Sequence, residues 1–352
     1  MMQTGAALTT QDNSGLSPWR RAWLRFRCNR RGYYSLWLFC GLFLLSLGAE
    51  MLCNDKPLLV VYQGSYYFPF LKSYPETTFG GDFDTEADYS DSYVRSLITA
   101  GDNWVIDPPI PYSYNTINFN SALPNPAHPT AQNILGTDDR GRDVFARLVY
   151  GFRLSVLFAF ALTLIGVAVG IVMGAVQGYF SGRLDLIMQR LIEVWSSMPE
   201  LYLLIIFASI FQPSIWLLII LLSLFGWMGL SDYVRAEFLR GRNMDYVRAA
   251  RAMGLGNIAI MRKHLLPNSM VPVITFLPVR VSGSILALTS LDFLGLGVPP
   301  TPPSLGELLA QGKENIEAWW LSLCTFIVLV GTLMLLIFIG EALREALDTR
   351  KI

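Results

Sequence analysis

The sequence predicts an all-α membrane protein of six transmembrane helices, with an external insert between the first and second that contains a small β-hairpin. Three observations carry this. Hydrophobic residues make up 53% of the 352-residue chain and charged residues 15%, both well off the averages of soluble proteins. The apolar residues gather in runs of about 20, the length that crosses a hydrocarbon core of roughly 30 Å. Lys plus Arg and Asp plus Glu are each 27, yet the charges are unevenly placed, and that unevenness sets an orientation.

Residues 1–35 form a basic tail with Arg20, Arg21, Arg25, Arg27, Arg30 and Arg31, expected in the cytoplasm. The apolar run 36–53 follows without a small-residue cleavage pattern, so it reads as a retained signal anchor and first span. Residues 54–147 turn polar, aromatic and acidic, which places them outside as a periplasmic insert. Within it, Val60–Gln63 and Tyr66–Phe68 flank Gly64 and Ser65, a pair whose leading Gly suits a type II′ hairpin turn. Asp82, Asp84, Glu86, Asp88 and Asp91 make an acidic run, read either as a solvated surface or as an attractor of a cationic ligand.

A five-helix core over 148–345 follows, with spans at about 154–176, 190–211, 215–231, 270–291 and 319–340, and a cytoplasmic tail over 346–352. Gly166, Gly170, Gly174 and Gly178 recur every fourth residue and line one helix face, a packing signal where lipid supplies no hydrophobic drive between helices. The 190–211 helix is expected to bend near Pro199. The segment 231–268 holds seven Lys or Arg against three acids and reads as a cytoplasmic loop, as do the basic residues Arg344, Arg350 and Lys351 at the end. The external connections 212–214 and 292–318, the latter with the Pro-rich linker Val298–Pro303, carry one basic residue, Lys313. Arg140, Arg142 and Arg147 fall on the external side, where long translocated segments are exempt from the charge rule.

Several function classes lack their residues. Cys28, Cys40, Cys53 and Cys324 show no CxxC spacing, and His128 and His264 stand alone, so neither a disulfide framework nor a metal site is expected. The nearest approach to a phosphate-binding loop, Gly306 to Gly312-Lys313-Glu314, has one residue too many and Glu where a hydroxyl is needed. No cofactor is expected in this chain, and no HExxH or nucleophile pattern supports an intramembrane enzyme. No internal repeat supports a secondary transporter. Arg280, near the middle of the fifth span, is the one deeply placed charge; facing lipid it would cost about 2.5–3.5 kcal/mol. It is expected to face a water-filled path, where it attracts a substrate carboxylate, or to pair with a structural acid or with backbone carbonyls.

Within the basic loop, Tyr246–Gly254 is an Ala- and Arg-rich helical run closed by a Gly suited to the left-handed cap position, and a second short helix, about Asn257 to Leu265, stops near Pro267. Together they form a compact docking knob. The arrangement resembles the EAA loop of ABC importer permeases, in which an Ala pair is followed by Gly and, nine residues later, by a Leu-Pro motif. Here these are Arg248, Ala249, Ala250, Gly254, His264, Leu266 and Pro267. Arg248 and His264 replace the general Glu and Ile, variants usual in the peptide-importing branch.

Leu135-Gly136-Thr137-Asp138, Gly141-Arg142-Asp143 and Tyr150-Gly151 resemble the signature of the dipeptide and oligopeptide C-type permeases, and Asp292–Gly297 and Ser304–Gly306 are similar to that family as well. The insert is similar to that of a branch that also takes up the peptide-nucleotide antibiotic microcin C. The resemblance implies a type I ABC importer permease fold in the bacterial inner membrane with both termini cytoplasmic. It implies as partners a second, B-type permease, ABC ATPase subunits carrying ATP and Mg, and a periplasmic peptide-binding protein. Other substrates of such permeases, nickel or opines, and a stand-alone secondary transporter are the alternative readings.

Overall fold

The computed structural model describes residues 17–119, 123–212, 214–297 and 302–348. The tail before Ser17, Pro213, most of the 298–303 linker, and Arg350 and Lys351 lie outside these residues. The chain opens with α1 (Pro18–Cys28), α2 (Arg30–Leu47) and α3 (Ala49–Leu52). Ser17 caps α1 and Asn29 caps α2, each side chain accepting a backbone N–H of the first turn.

The insert folds around a three-stranded antiparallel sheet of β1 (Leu59–Tyr62), β2 (Ser65–Tyr67) and β3 (Trp104–Ile106), in the order β2-β1-β3. The expected hairpin is present, with its turn one residue earlier than read. Gln63 (φ 50°) and Gly64 (φ 75°) both adopt positive φ, which makes a type I′ turn and frees Ser65 to pair with Tyr62. The alternation places Val60, Tyr62, Tyr67 and Val105 on one face, packed on Phe79, Tyr89 and the short helix α4 (Ser92–Ile98).

Among the described residues, four helices or helix pairs are long and apolar enough to cross a membrane: α5 (Val144–Phe180); α8 (Ile215–Gly226) with α9 (Met228–Gly241); α11 (Asn257–Ile260) with α12 (Leu266–Phe293); and α14 (Trp319–Leu347). A fifth candidate is α6 (Gly182–Ser196) with α7 (Glu200–Ile210), which meet at 66° across residues 197–199, beside the Pro199 that the sequence marks as a bend. The six spans expected are therefore matched by four or five. Arg30–Leu47 is long enough at 18 residues but falls short of the hydropathy that marks the others, its first turn opening on Arg30 and Arg31. Only 33% to 39% of the residues in the four apolar windows are buried, so much of their apolar surface faces outward.

Two boundaries differ from the sequence reading. The helix α9 runs on to Gly241, and α10 (Asp245–Ala252) follows, because Leu230, Val234 and Phe238 give the polar segment a buried stripe at a spacing of four. The chain from Asn257 also does not stop near Pro267. A π-helical turn over Met261–Leu265 resets the hydrogen-bond register, so Pro267 falls in the first turn of α12, where a missing N–H costs little. Last, α13 (Leu305–Glu314) is capped by Ser304 and packs between α12 and α14.

Candidate functional site

The knob is built from α10 and α11. Gly254 has φ 82° and closes α10 in a Schellman motif: its N–H donates to the Arg251 carbonyl, and the Leu255 N–H donates to the Ala250 carbonyl. Val247 and Ala250 are buried, and with Ile260 and Leu265 they pack on Ala175 and Tyr179 of α5, Leu230, Val234 and Phe238 of α9, and Val273 of α12. The opposite face is open. Arg248, Ala249, Gly254 and Pro267 are exposed, and Met253 and Ile258 stand out at the tip at 73% and 80% exposure. His264 and Leu266 are half-buried. Of the seven residues singled out in the loop motif, four thus present a surface and Ala250 anchors it. The sequence reading passed over the remaining anchors, Val247 and Leu265, whose apolar spacing on the helices was the available signal.

Polar contacts tie the knob to its base. The Tyr179 hydroxyl donates to Asn257 Oδ1 (2.8 Å), Arg251 lies over the Tyr179 ring, and Arg242 donates to the Tyr179 carbonyl (3.1 Å). Two turns back along α9, Arg235 makes a bidentate pair with Asp185 of α6 at 2.5 and 2.7 Å.

From this base the glycine stripe of α5 follows α9 away from the knob. A Cβ on Gly178 would lie 2.5 Å from the Arg235 carbonyl oxygen, on Gly174 2.4 Å from that of Ser231, and on Gly170 3.0 Å from that of Trp227. On Gly166 it would lie 3.3 Å from the Arg280 guanidinium and 3.4 Å from the Gly226 carbonyl oxygen. The stripe ends at Arg280, which donates to the Gly226 carbonyl at the junction of α8 and α9. Arg280 also lines a cavity of about 540 Å³ shared with Glu200, Phe225, Gly226 and Ser284. Arg280 thus holds a backbone carbonyl and lines a cavity.

A second cluster lies where the insert joins the helices. Asp138 accepts from Arg142 Nε (2.6 Å) and sits 3.6 Å from Arg147 Nε, while Glu307 of α13 pairs with Arg142 at 3.1 Å and with Arg147 at 2.5 Å. Arg147 also donates to the Tyr114 carbonyl (3.3 Å). Asp143 caps α5 through the Ala146 N–H and accepts from Asn133 (2.8 Å); burial pushes its carboxyl above the usual range. The signature stretch Leu135–Asp143 is thus the loop that seats the insert on α5 and α13. Glu307, from 160 residues beyond Arg147, gave no local signal in the sequence.

Residues 166–352 match the family described as the binding-protein-dependent transport system inner membrane component, and residues 17–74 match the N-terminal transmembrane domain of oligopeptide transport permease C. The chain belongs to this permease family. It is 52% identical to the inner membrane ABC transporter permease protein YejE of Escherichia coli K12, over 96% of this chain and 99% of that one. It is 50% identical to the peptidoglycan transport system permease protein YejE of Agrobacterium fabrum, over 95% of each. The oligopeptide transport system permease protein OppC of Haemophilus influenzae is 35% identical over 68% of this chain and 77% of its own. As a member of the family the chain is a multi-pass inner-membrane permease subunit. It is not itself an enzyme, and ATP hydrolysis belongs to a separate partner.

Proposed function

We propose that this permease moves peptides inward, microcin C-like peptide antibiotics included, and that α10 with the turn after it is the element through which a partner ATPase drives it. The chain crosses the inner membrane six times in this reading, with residues 36–53 as the first span and both termini in the cytoplasm. Its partners are a B-type permease that completes the path, ATPase subunits that bind ATP and Mg, and a periplasmic peptide-binding protein. The peptide qualifier is supported by the names of its relatives, which include oligopeptide and peptidoglycan transport permeases.

The observation that carries the coupling role is the continuity between the knob and the cavity. The buried side of α10 rests on α5 and α9, whose glycine-lined contact runs without a gap to Gly226 and Arg280. A displacement of the knob is therefore transmitted through close-packed backbone to the cavity. An ATPase dimer that binds the knob differently in its open and closed states supplies the free-energy difference such a switch needs.

The test is Gly254→Asp in the assembled transporter. An added side chain has open space around it, and its strain at φ 82° costs about 1–2 kcal/mol, so the expected outcome is a chain that still inserts and folds but no longer couples ATP hydrolysis to uptake. Peptide uptake and ATPase binding equal to the parent would overturn the proposal. Purifying the intact complex tests the partners: an ATPase and a second permease should co-purify, and a chain that transports without them would be a secondary transporter.

A further inference from the structure

The helix α1 carries a surface that neither transport nor coupling uses. Trp19, Trp23 and Phe26 fall at spacings of four and three, one stripe of a helix. Phe26 is buried against Ala342 and Ala346 of α14, but the stripe continues past the edge of the protein, leaving Trp23 46% and Trp19 60% exposed. Just beyond, Tyr34 and Trp37 on α2 are 67% and 57% exposed.

Around these aromatics lie Arg20, Arg21, Arg25, Arg27, Arg30 and Arg31, and no acidic residue occurs from Ser17 to Ala49. None of the six arginines forms an ion pair among the described residues. Arg25 donates to the Asp348 backbone carbonyl and Arg27 lies over Tyr33, while Arg20, Arg30 and Arg31 are exposed.

We propose that α1 lies on the bilayer and binds anionic phospholipid, Trp19 and Trp23 entering the headgroup boundary and the free arginines meeting lipid phosphates. The charge balance favours an anionic partner: Glu345, which accepts from Asn29, and Asp348 lie beside α1, yet none of the six arginines pairs with a carboxylate among the described residues. Position supplies the other half of the argument. One residue separates α1 from α2, whose exposed Tyr34, Trp37 and Leu44 form a stripe opposite the face that carries buried Phe39 and Ser46. A basic helix with exposed Trp, joined directly to an apolar helix with a lipid-facing stripe, is placed where interfacial helices bind, and dual apolar and electrostatic contact is what makes that binding stable. The inference rests on the reading of the chain as a membrane permease, but not on its substrate or coupling.

The test is amide hydrogen exchange over residues 17–28 of the full chain in nanodiscs. One set is phosphatidylcholine alone and the other about one third phosphatidylglycerol. Exchange should be at least about fivefold slower in the anionic discs, the factor that corresponds to the ~1 kcal/mol one basic residue gains near such a surface. The triple variant R20Q/R30Q/R31Q should abolish that difference, and W19A/W23A should speed exchange in both lipids. Phe26→Ala is the control, since it loosens α1 from α14 without touching the lipid contacts. Equal exchange in both lipids, or slowing that inorganic phosphate reproduces in phosphatidylcholine discs, overturns the proposal. So does protection that depends on a co-purified subunit rather than on lipid charge. A parent chain that shows the lipid dependence but moves no peptide with its partners counts against the permease reading alone.

Discussion

Arg147 and Glu307 are 160 residues apart and meet at 2.5 Å, with Arg147 wholly removed from solvent. The pair joins the first turn of α5 to the first turn of α13, and Arg142 shares the same Glu307 carboxylate. A buried cation of this kind is tolerated only with its anions in place.

Removing the anion should therefore cost more than the pair contributes. Glu307→Ala leaves Arg147 with Asp138 at 3.6 Å as its nearest carboxylate, and a loss of about 3–5 kcal/mol in unfolding free energy is expected. Glu307→Gln keeps an acceptor and should lose less. Denaturant unfolding in detergent, followed on the insert and on α13 separately, checks whether the two part company in the Ala variant.

The glycine stripe gives a graded prediction. Ala at Gly174 or Gly178 drives a methyl into backbone oxygens 2.4–2.5 Å away, which the facing helix can relieve only by moving, at about 1–3 kcal/mol each. Ala at Gly166 meets its nearest atoms at 3.3 Å and should be nearly neutral. Melting temperatures of the four single Ala variants should rank 174 and 178 lowest and 166 highest. A flat series would mean that α5 and α9 do not pack as closely as described.

That stripe was legible in the sequence because a strict four-residue period of glycine has one physical meaning in a membrane helix. The hairpin was legible from its β-branched and aromatic alternation. Its turn was misplaced by one residue because Gly64 fits the second position of a type I′ turn as well as the first of a type II′ turn. The charge of the segment 231–268 marks a loop, although Leu230, Val234 and Phe238 continue the helix on a buried face. Strand β3, three residues long, and the pairing of Arg147 with Glu307 depend on chain segments far apart, and no local pattern encodes either.

Arg280 separates two roles by their substrate dependence. If its contact with the Gly226 carbonyl is what matters, Arg280→Gln should reduce uptake of neutral and acidic peptides alike. If the cavity side matters, acidic peptides should lose more, by the several-fold that one charge-assisted hydrogen bond supplies. The cavity geometry predicts the second outcome superimposed on a smaller general loss, read from uptake rates of paired peptides differing in one carboxylate.

The acidic run of the insert offers a prediction in pH. Glu86 accepts from Lys56 and Ser73, and these hydrogen bonds hold its carboxyl below the usual range. A depressed acid stabilises the fold above its ordinary pKa and loses that contribution as pH falls through the folded value. Lys56 follows the exit of the first helices and Glu86 sits across the insert, so acidification should loosen the link between residues 54–58 and 73–87. Both side chains are partly exposed, which limits the effect to about 0.2–1 kcal/mol. Hydrogen exchange of those segments should speed up as pH is lowered toward the carboxylate range, once intrinsic rates are normalised. Glu86→Gln should show the faster exchange at neutral pH and lose the dependence; an unchanged pH profile in that variant would mean that Glu86 is not the group responsible.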